Sequence, residues 1–123
     1  MKTCILSLAT AFLLVVSAFD AEAPAASQSE AIKLVSAIAS DDYAAFVVDG
    51  NAPFQSLKED QFEAVVSQLG SKLKSGYDLT YLGDLNQRGY QVTLWRICFK
   101  NGGDDFLATL SMKEGKVGGF WIK

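Results

Sequence analysis

The stretch Asp105-Phe-Leu-Ala-Thr-Leu-Ser-Met-Lys113-Glu-Gly-Lys-Val-Gly-Gly-Phe-Trp-Ile122 decides the fold. It reads as two apolar runs joined by Lys113-Glu114-Gly115-Lys116, whose glycine suits a tight hairpin turn. Two further runs precede it, Asp78–Leu85 and Tyr90–Lys100, bounded by Asn86-Gln87-Arg88-Gly89 and Asn101-Gly102-Gly103. Connections this short join antiparallel neighbours, because parallel strands need a long crossover. The second half of the chain is therefore expected to be a four-stranded antiparallel meander.

Working outward, the first half is helical. Ser27 with Glu30 fits a capping box, and Ile32, Val35, Ile38 and Ala39 follow at helical spacing, predicting a helix over 29–39. Ser40-Asp41-Asp42 supplies an N-cap for a short helix over 43–48, and a loop containing Pro53 follows. Ser56 with Glu59 is a second capping box. Behind it Phe62, Val65, Val66, Leu69 and Leu73 form an apolar stripe on a helix over 57–74, closed by Gly76. Three N-terminal helices before a meander predict an α+β layer with helices on one sheet face.

The turns also predict register. A two-residue turn at Asn101-Gly102 sets Ile97 opposite Phe106 and Trp95 opposite Ala108. A turn at Glu114-Gly115 then sets Ala108 opposite Trp121. The expected row Trp95, Ala108, Trp121 shares a face with Ile97, Phe99, Phe106, Leu110 and Val117. Val92, Leu94, Arg96, Cys98, Leu107, Thr109, Phe120 and Ile122 fall on the other, and a one-residue slip exchanges the two sets. Gly118 and Gly119 mark a bulge or a place where another group packs closely. Both faces are apolar, so something beyond the helices is expected over the second: another copy of the chain or a ligand.

The chain has 123 residues, a net charge of −3 and no histidine. That length holds one domain. Without histidine there is no Ser-His-Asp or Cys-His catalysis and no imidazole metal ligand. The negative charge argues against tracking a nucleic-acid backbone. At the N-terminus Lys2 precedes an apolar run from Cys4 to Val16, and Val16-Ser17-Ala18 places small residues before a cleavage point. Residues 1–18 are thus expected to be a signal peptide, 19–28 a flexible leader and 29–123 the domain, exported to the periplasm or secreted, with no membrane span left after cleavage. Cleavage removes Cys4, and Cys98 is expected as a buried, unreactive thiol.

Arg96 stands out as a charge in mid-strand. It is expected either to lie at the surface, paired with Asp78 or Asp84, or to recognise an anion in an apolar pocket lined by Tyr81, Leu94 and Phe120. Asp104-Asp105 lacks the spacing of a calcium loop, and Asp41-Asp42 reads as helix capping. No metal site, cofactor or catalytic set is expected.

The phrases Ser40-Asp-Asp-Tyr-Ala-Ala-Phe46, Leu69-Gly70 and Asp104-Asp-Phe-Leu-Ala-Thr-Leu with Lys113-Glu-Gly-Lys-Val-Gly-Gly-Phe-Trp-Ile122 resemble the NTF2-like (cystatin-like) superfamily, in particular small exported domains of the DUF3887 kind. The resemblance covers residues 29–123. It implies a cone-like fold, a curved sheet around a long helix, often dimerising through the sheet. It implies no activity, since such folds host enzymes and binding modules alike. The expected role is an exported, non-enzymatic module that binds a small apolar or amphipathic ligand, or itself as a homodimer through the sheet. The alternatives are an isomerase or dehydratase using Asp78 or Asp84, and a structural envelope protein.

Overall fold

The computed structural model describes residues 22–123. The expected signal peptide, and the leader before Glu22, lie outside them. The helices are α1 (Ala25–Ala39), α2 (Tyr43–Val47), α3 (Ala52–Gln55) and α4 (Glu59–Lys74). The strands are β1 (Tyr77–Gln87), β2 (Tyr90–Phe99), β3 (Phe106–Lys113) and β4 (Lys116–Ile122). They form one open antiparallel sheet in the order β1-β2-β3-β4. The α+β class and the meander are as expected. Among the described residues no helix is long and apolar enough to cross a membrane.

The helix count differs, because Pro53 sits in a turn of helix instead of a loop. Asn51 caps α3 by accepting from the Phe54 N–H at 3.0 Å, and proline is tolerated in a first helical turn. Helix α1 begins at Ala25, so the last part of the expected leader is helical. Its start is set by Pro24, whose carbonyl accepts from Gln28 N–H at 2.9 Å. Ser27 and Glu30 are therefore not a capping box; both are buried on the stripe that carries Ala31, Leu34, Val35 and Ile38. Asp42 does cap α2, accepting from Ala45 N–H at 3.0 Å.

Helix α4 also starts later than the Ser56 box predicts. Ser56 Oγ donates to the Pro53 carbonyl at 2.7 Å, and the cap forms where Gln61 Oε1 accepts from Lys58 N–H at 3.2 Å. Glu59 and Asp60 lie at the positive end of the helix, with Lys72 and Lys74 at the negative end. Phe62, Leu69 and Leu73 face the core, Val66 is half-buried, and Val65 is 36% exposed, outside the stripe expected of it. Gly70 is buried on the same helix, where a side chain would lie 3.2 Å from Val66 Cγ1 one turn back.

Strands β2 and β3 pair in the expected register, Ile97 with Phe106 and Trp95 with Ala108, although their link is a wider loop than the two-residue turn. Strand β4 departs from expectation. The Glu114-Gly115 turn is tight, with φ of 53° and 79°, and Met112 pairs with Val117 as it predicts. Then β4 inserts one extra residue: Ser111 pairs with Gly119, and Ala108 with Ile122 instead of Trp121. A bulge of this kind sends every later side chain to the opposite face. Phe120 and Ile122 turn inward against the helices, and Trp121 turns outward to 57% exposure. The expected row of two indoles does not form.

Candidate functional site

The bulge separates the residues that the sequence grouped into one pocket. Tyr81 lies on the helix side of β1, its ring 5.3 Å from that of Trp95. Phe120 lies on the helix side of β4, at the other edge of the sheet, with its ring 6.1 Å from Phe46. Leu94 and Arg96 point to the outer face, where both are half-buried. Arg96 is paired with an acid, but with Asp105 of the β2–β3 link (Nε to Oδ2, 2.9 Å), and its Nη2 lies 3.6 Å from Cys98 Sγ. Tyr81, Leu94, Arg96 and Phe120 therefore line no common site. Cys98 is buried as expected, but it is not a free thiol. Asp78 is half-buried; Asp84 is exposed and accepts from Gln91 Nε2 at 3.4 Å.

The outer face instead builds a groove of about 600 Å³, lined by Gln87, Arg88, Tyr90, Val92, Thr109, Ser111 and Trp121. Its walls are the rings of Tyr90 and Trp121, and glycines make room for both. A Cβ on Gly118 would lie 2.4 Å from Tyr90 Cε2, and one on Gly119 would lie 2.1 Å from Trp121 Cη2. Each ring thus rests against bare backbone, which fixes its position without a supporting side chain. Lys113 Nζ caps the Tyr90 ring at 5.5 Å from its centroid. The floor is Val92 with the hydroxyls of Thr109 and Ser111. The rim is the tight turn at Arg88-Gly89, with φ of 53° and 83°. Aromatic walls, a hydroxyl floor and a guanidinium at one end suit a ligand with an apolar body and a polar or anionic end. The sequence pointed to Gly118 and Gly119 as a bulge or close-packing position, and both readings hold; of the two tryptophans, for which the sequence favours core packing over a ligand cavity, Trp95 is buried and Trp121 lines the groove.

A second cluster joins α1 to the α2–α3 link. Lys33 Nζ pairs with Asp49 Oδ2 at 2.6 Å. Beside them Glu30 is 8% exposed, its Oε2 buried without a hydrogen-bond partner. Burial, then the neighbouring Asp49 carboxylate, push the Glu30 carboxyl up to about 7, with Lys33 opposing. The hydrogen bond from Lys33 holds Asp49 below the ordinary carboxylate range, and the same bond raises Lys33. Helical spacing contained this signal: Glu30 falls in line with Ser27, Leu34 and Ile38, on the face that must be buried. Among the described residues no group of three or more His, Cys, Asp or Glu side chains is arranged to hold a metal ion.

No protein-family model and no curated protein matches the chain.

Proposed function

We propose that this chain is an exported, non-enzymatic binding module that holds a small amphipathic ligand on the outer face of its sheet, between Tyr90 and Trp121. The observation that carries this reading is the seating of both rings over Gly118 and Gly119, which leaves an indole exposed above a floor of hydroxyls. An indole 57% exposed beside a second ring offers a ligand an apolar wall. Export rests on the N-terminal pattern of Lys2, the apolar run and Val16-Ser17-Ala18. Kinship with the NTF2-like domains belongs to the same proposal, supported by helices ahead of a four-stranded meander and by the quoted phrases. An enzyme of the isomerase or dehydratase kind finds less support. The acids whose pKa values are raised, Glu30 and Glu63, do not line the groove.

The test uses 1-anilinonaphthalene-8-sulfonate, whose aromatic body and sulfonate match the walls and the Arg88 rim. The wild-type protein is expected to bind it saturably. Trp121→Ala is expected to weaken binding about tenfold or more, a loss of roughly 1.4 kcal/mol or above. Melting temperature should hardly move, because the indole lies outside the core. Gly118→Val is expected to displace Tyr90 and weaken binding as well. Equal dye binding in wild type and both variants, with all three folded, would refute the groove. Native mass spectrometry of protein purified from its own host would then show whether a natural ligand travels with it.

A further inference from the structure

The outer groove carries more hydrogen-bonding capacity than a wholly apolar ligand could use. Among the described residues, the side chains of Gln87, Arg88, Tyr90, Thr109 and Ser111 make no hydrogen bond or ion pair within the chain. The other arginine, Arg96, is held by Asp105, so Arg88 presents a free guanidinium. Thr109 pairs with Trp121, and Ser111 with Gly119, across β3 and β4. The two hydroxyl residues are thus about 7 Å apart along their strand. The indole, folded back over Gly119, runs alongside both of them. Its other face is open, and Trp121 is 57% exposed. The Tyr90 ring is packed by Gly118 and Lys113, so it contributes a phenol hydroxyl more than a stacking face. The chain carries 14 Asp and Glu against 11 Lys and Arg, yet no acid lines the groove. Lys113 Nζ adds a second positive charge at the Arg88 end, 3.6 Å from where a Cβ on Gly89 would stand.

We propose that the occupant of this groove is an acidic sugar, a hexuronate unit of a β-linked polysaccharide stacked on Trp121 with its carboxylate at Arg88, which rests on the reading of the groove as a ligand site. The face of an indole is the negative side of its quadrupole. The axial C–H groups of a pyranose with equatorial hydroxyls are weakly positive, so ring and sugar stack face to face. That C–H face is the ligand's apolar body. The equatorial hydroxyls lie around the sugar's edge, where Thr109, Ser111, Gln87 and Tyr90 can each give or take a hydrogen bond. The guanidinium fork matches a carboxylate in shape and charge. An aryl or alkyl body over the same floor would take the hydroxyls of Thr109 and Ser111 out of water and return no hydrogen bond. A lipid tail also needs enclosure, because a wholly apolar ligand is held by burial of most of its surface. A sugar keeps its outward hydroxyls in water, as an open groove requires.

The probe is a glucuronate tetrasaccharide with the linkage of cellulose. Cellotetraose, which has the same ring faces and no carboxylate, is its neutral counterpart. The indole N–H signals of the two tryptophans report on binding by NMR: Trp95 donates to Thr93 Oγ1 at 2.9 Å in the core, whereas Trp121 lines the groove. The acidic tetrasaccharide is expected to shift the Trp121 signal saturably, to leave that of Trp95 in place, and to displace the dye. Cellotetraose is expected to bind about fivefold more weakly, the scale of an exposed ion pair. Arg88→Gln, with an unchanged circular dichroism spectrum, is expected to bind the two sugars alike. Trp121→Ala is expected to weaken calorimetric binding of the acidic sugar about tenfold or more, as loss of an aromatic anchor does. A Trp121 signal that neither sugar moves, in a protein that still binds the dye, overturns the sugar and leaves the ligand groove. Failure of dye and sugar together overturns both. Equal affinity of the wild type for the two sugars overturns the assignment as well, as does acidic-sugar binding that survives Trp121→Ala.

Discussion

Phe62→Ala is expected to destabilise the protein by about 3–5 kcal/mol, the usual cost of removing a buried aromatic ring. Phe62 is 1% exposed on α4, its ring 5.0 Å from that of Phe46 and 5.8 Å from that of Tyr43. Phe46 in turn meets Phe54 of α3 and Phe120 of β4. The ring is therefore part of the aromatic cluster through which helices α2, α3 and α4 meet the last strand. A domain of this size has a total stability of about 5–15 kcal/mol, so the loss is a large share of it. In urea unfolding the midpoint should fall while the slope stays constant. Val65→Ala, three residues along on the exposed side of the same helix, should cost less than about 1 kcal/mol. Equal losses at the two positions would mean that α4 packs through a different face.

The second large effect is on pH dependence. The folded state raises Glu30 from 4.5 to about 7, so folding favours its protonated form. A raised acid contributes stability fully below its unfolded pKa and loses it as pH rises through the folded value. Wild-type stability should therefore fall between about pH 5 and pH 8, by on the order of 3 kcal/mol at 1.36 kcal/mol per pKa unit. Asp49 acts in the opposite sense. Its pKa is lowered, chiefly by Lys33 with help from Lys116, so its contribution is present above 3.8 and lost only in acid. Glu30→Gln keeps a donor for Asp49 and has no charge to bury. It should flatten the profile and raise stability at pH 8, with little change at pH 5. Urea unfolding across that range decides the matter. A wild-type profile that does not fall above pH 6 would mean that Glu30 ionises as freely in the folded protein as in the unfolded one.

How much of this was legible beforehand depends on how local the deciding forces are. The strand boundaries and the tight Glu114-Gly115 turn follow from glycines and apolar runs, because turn chemistry acts within a few residues. The β2–β3 register was also readable, although the link is wider than the turn that suggested it. The extent of α1 was not. Ser27 and Glu30 have the side chains of a cap, and in sequence that pattern marks a helix end. The helix continues past them because Pro24 starts it earlier and the core takes both side chains in. Glu30 was thereby missed as a buried acid, although its helical phase placed it among Leu34 and Ile38.

The amino-acid sequence by itself determined the class of this protein: helices first, then an antiparallel meander, one helix face and one sheet face closed on each other. Periodicity and turn residues are sufficient for that, since they act through neighbours in the chain. Only the tertiary structure decided the site. One extra residue at the β4 bulge turns Phe120 inward and Trp121 outward, and so replaces the expected pocket of Tyr81, Leu94, Arg96 and Phe120 with a groove between Tyr90 and Trp121. Gly118-Gly119 announces that a bulge can form there. Which face each ring then takes is settled by contacts with residues distant in the chain: Phe46 packs against Phe120, and the Tyr90 ring fits over Gly118.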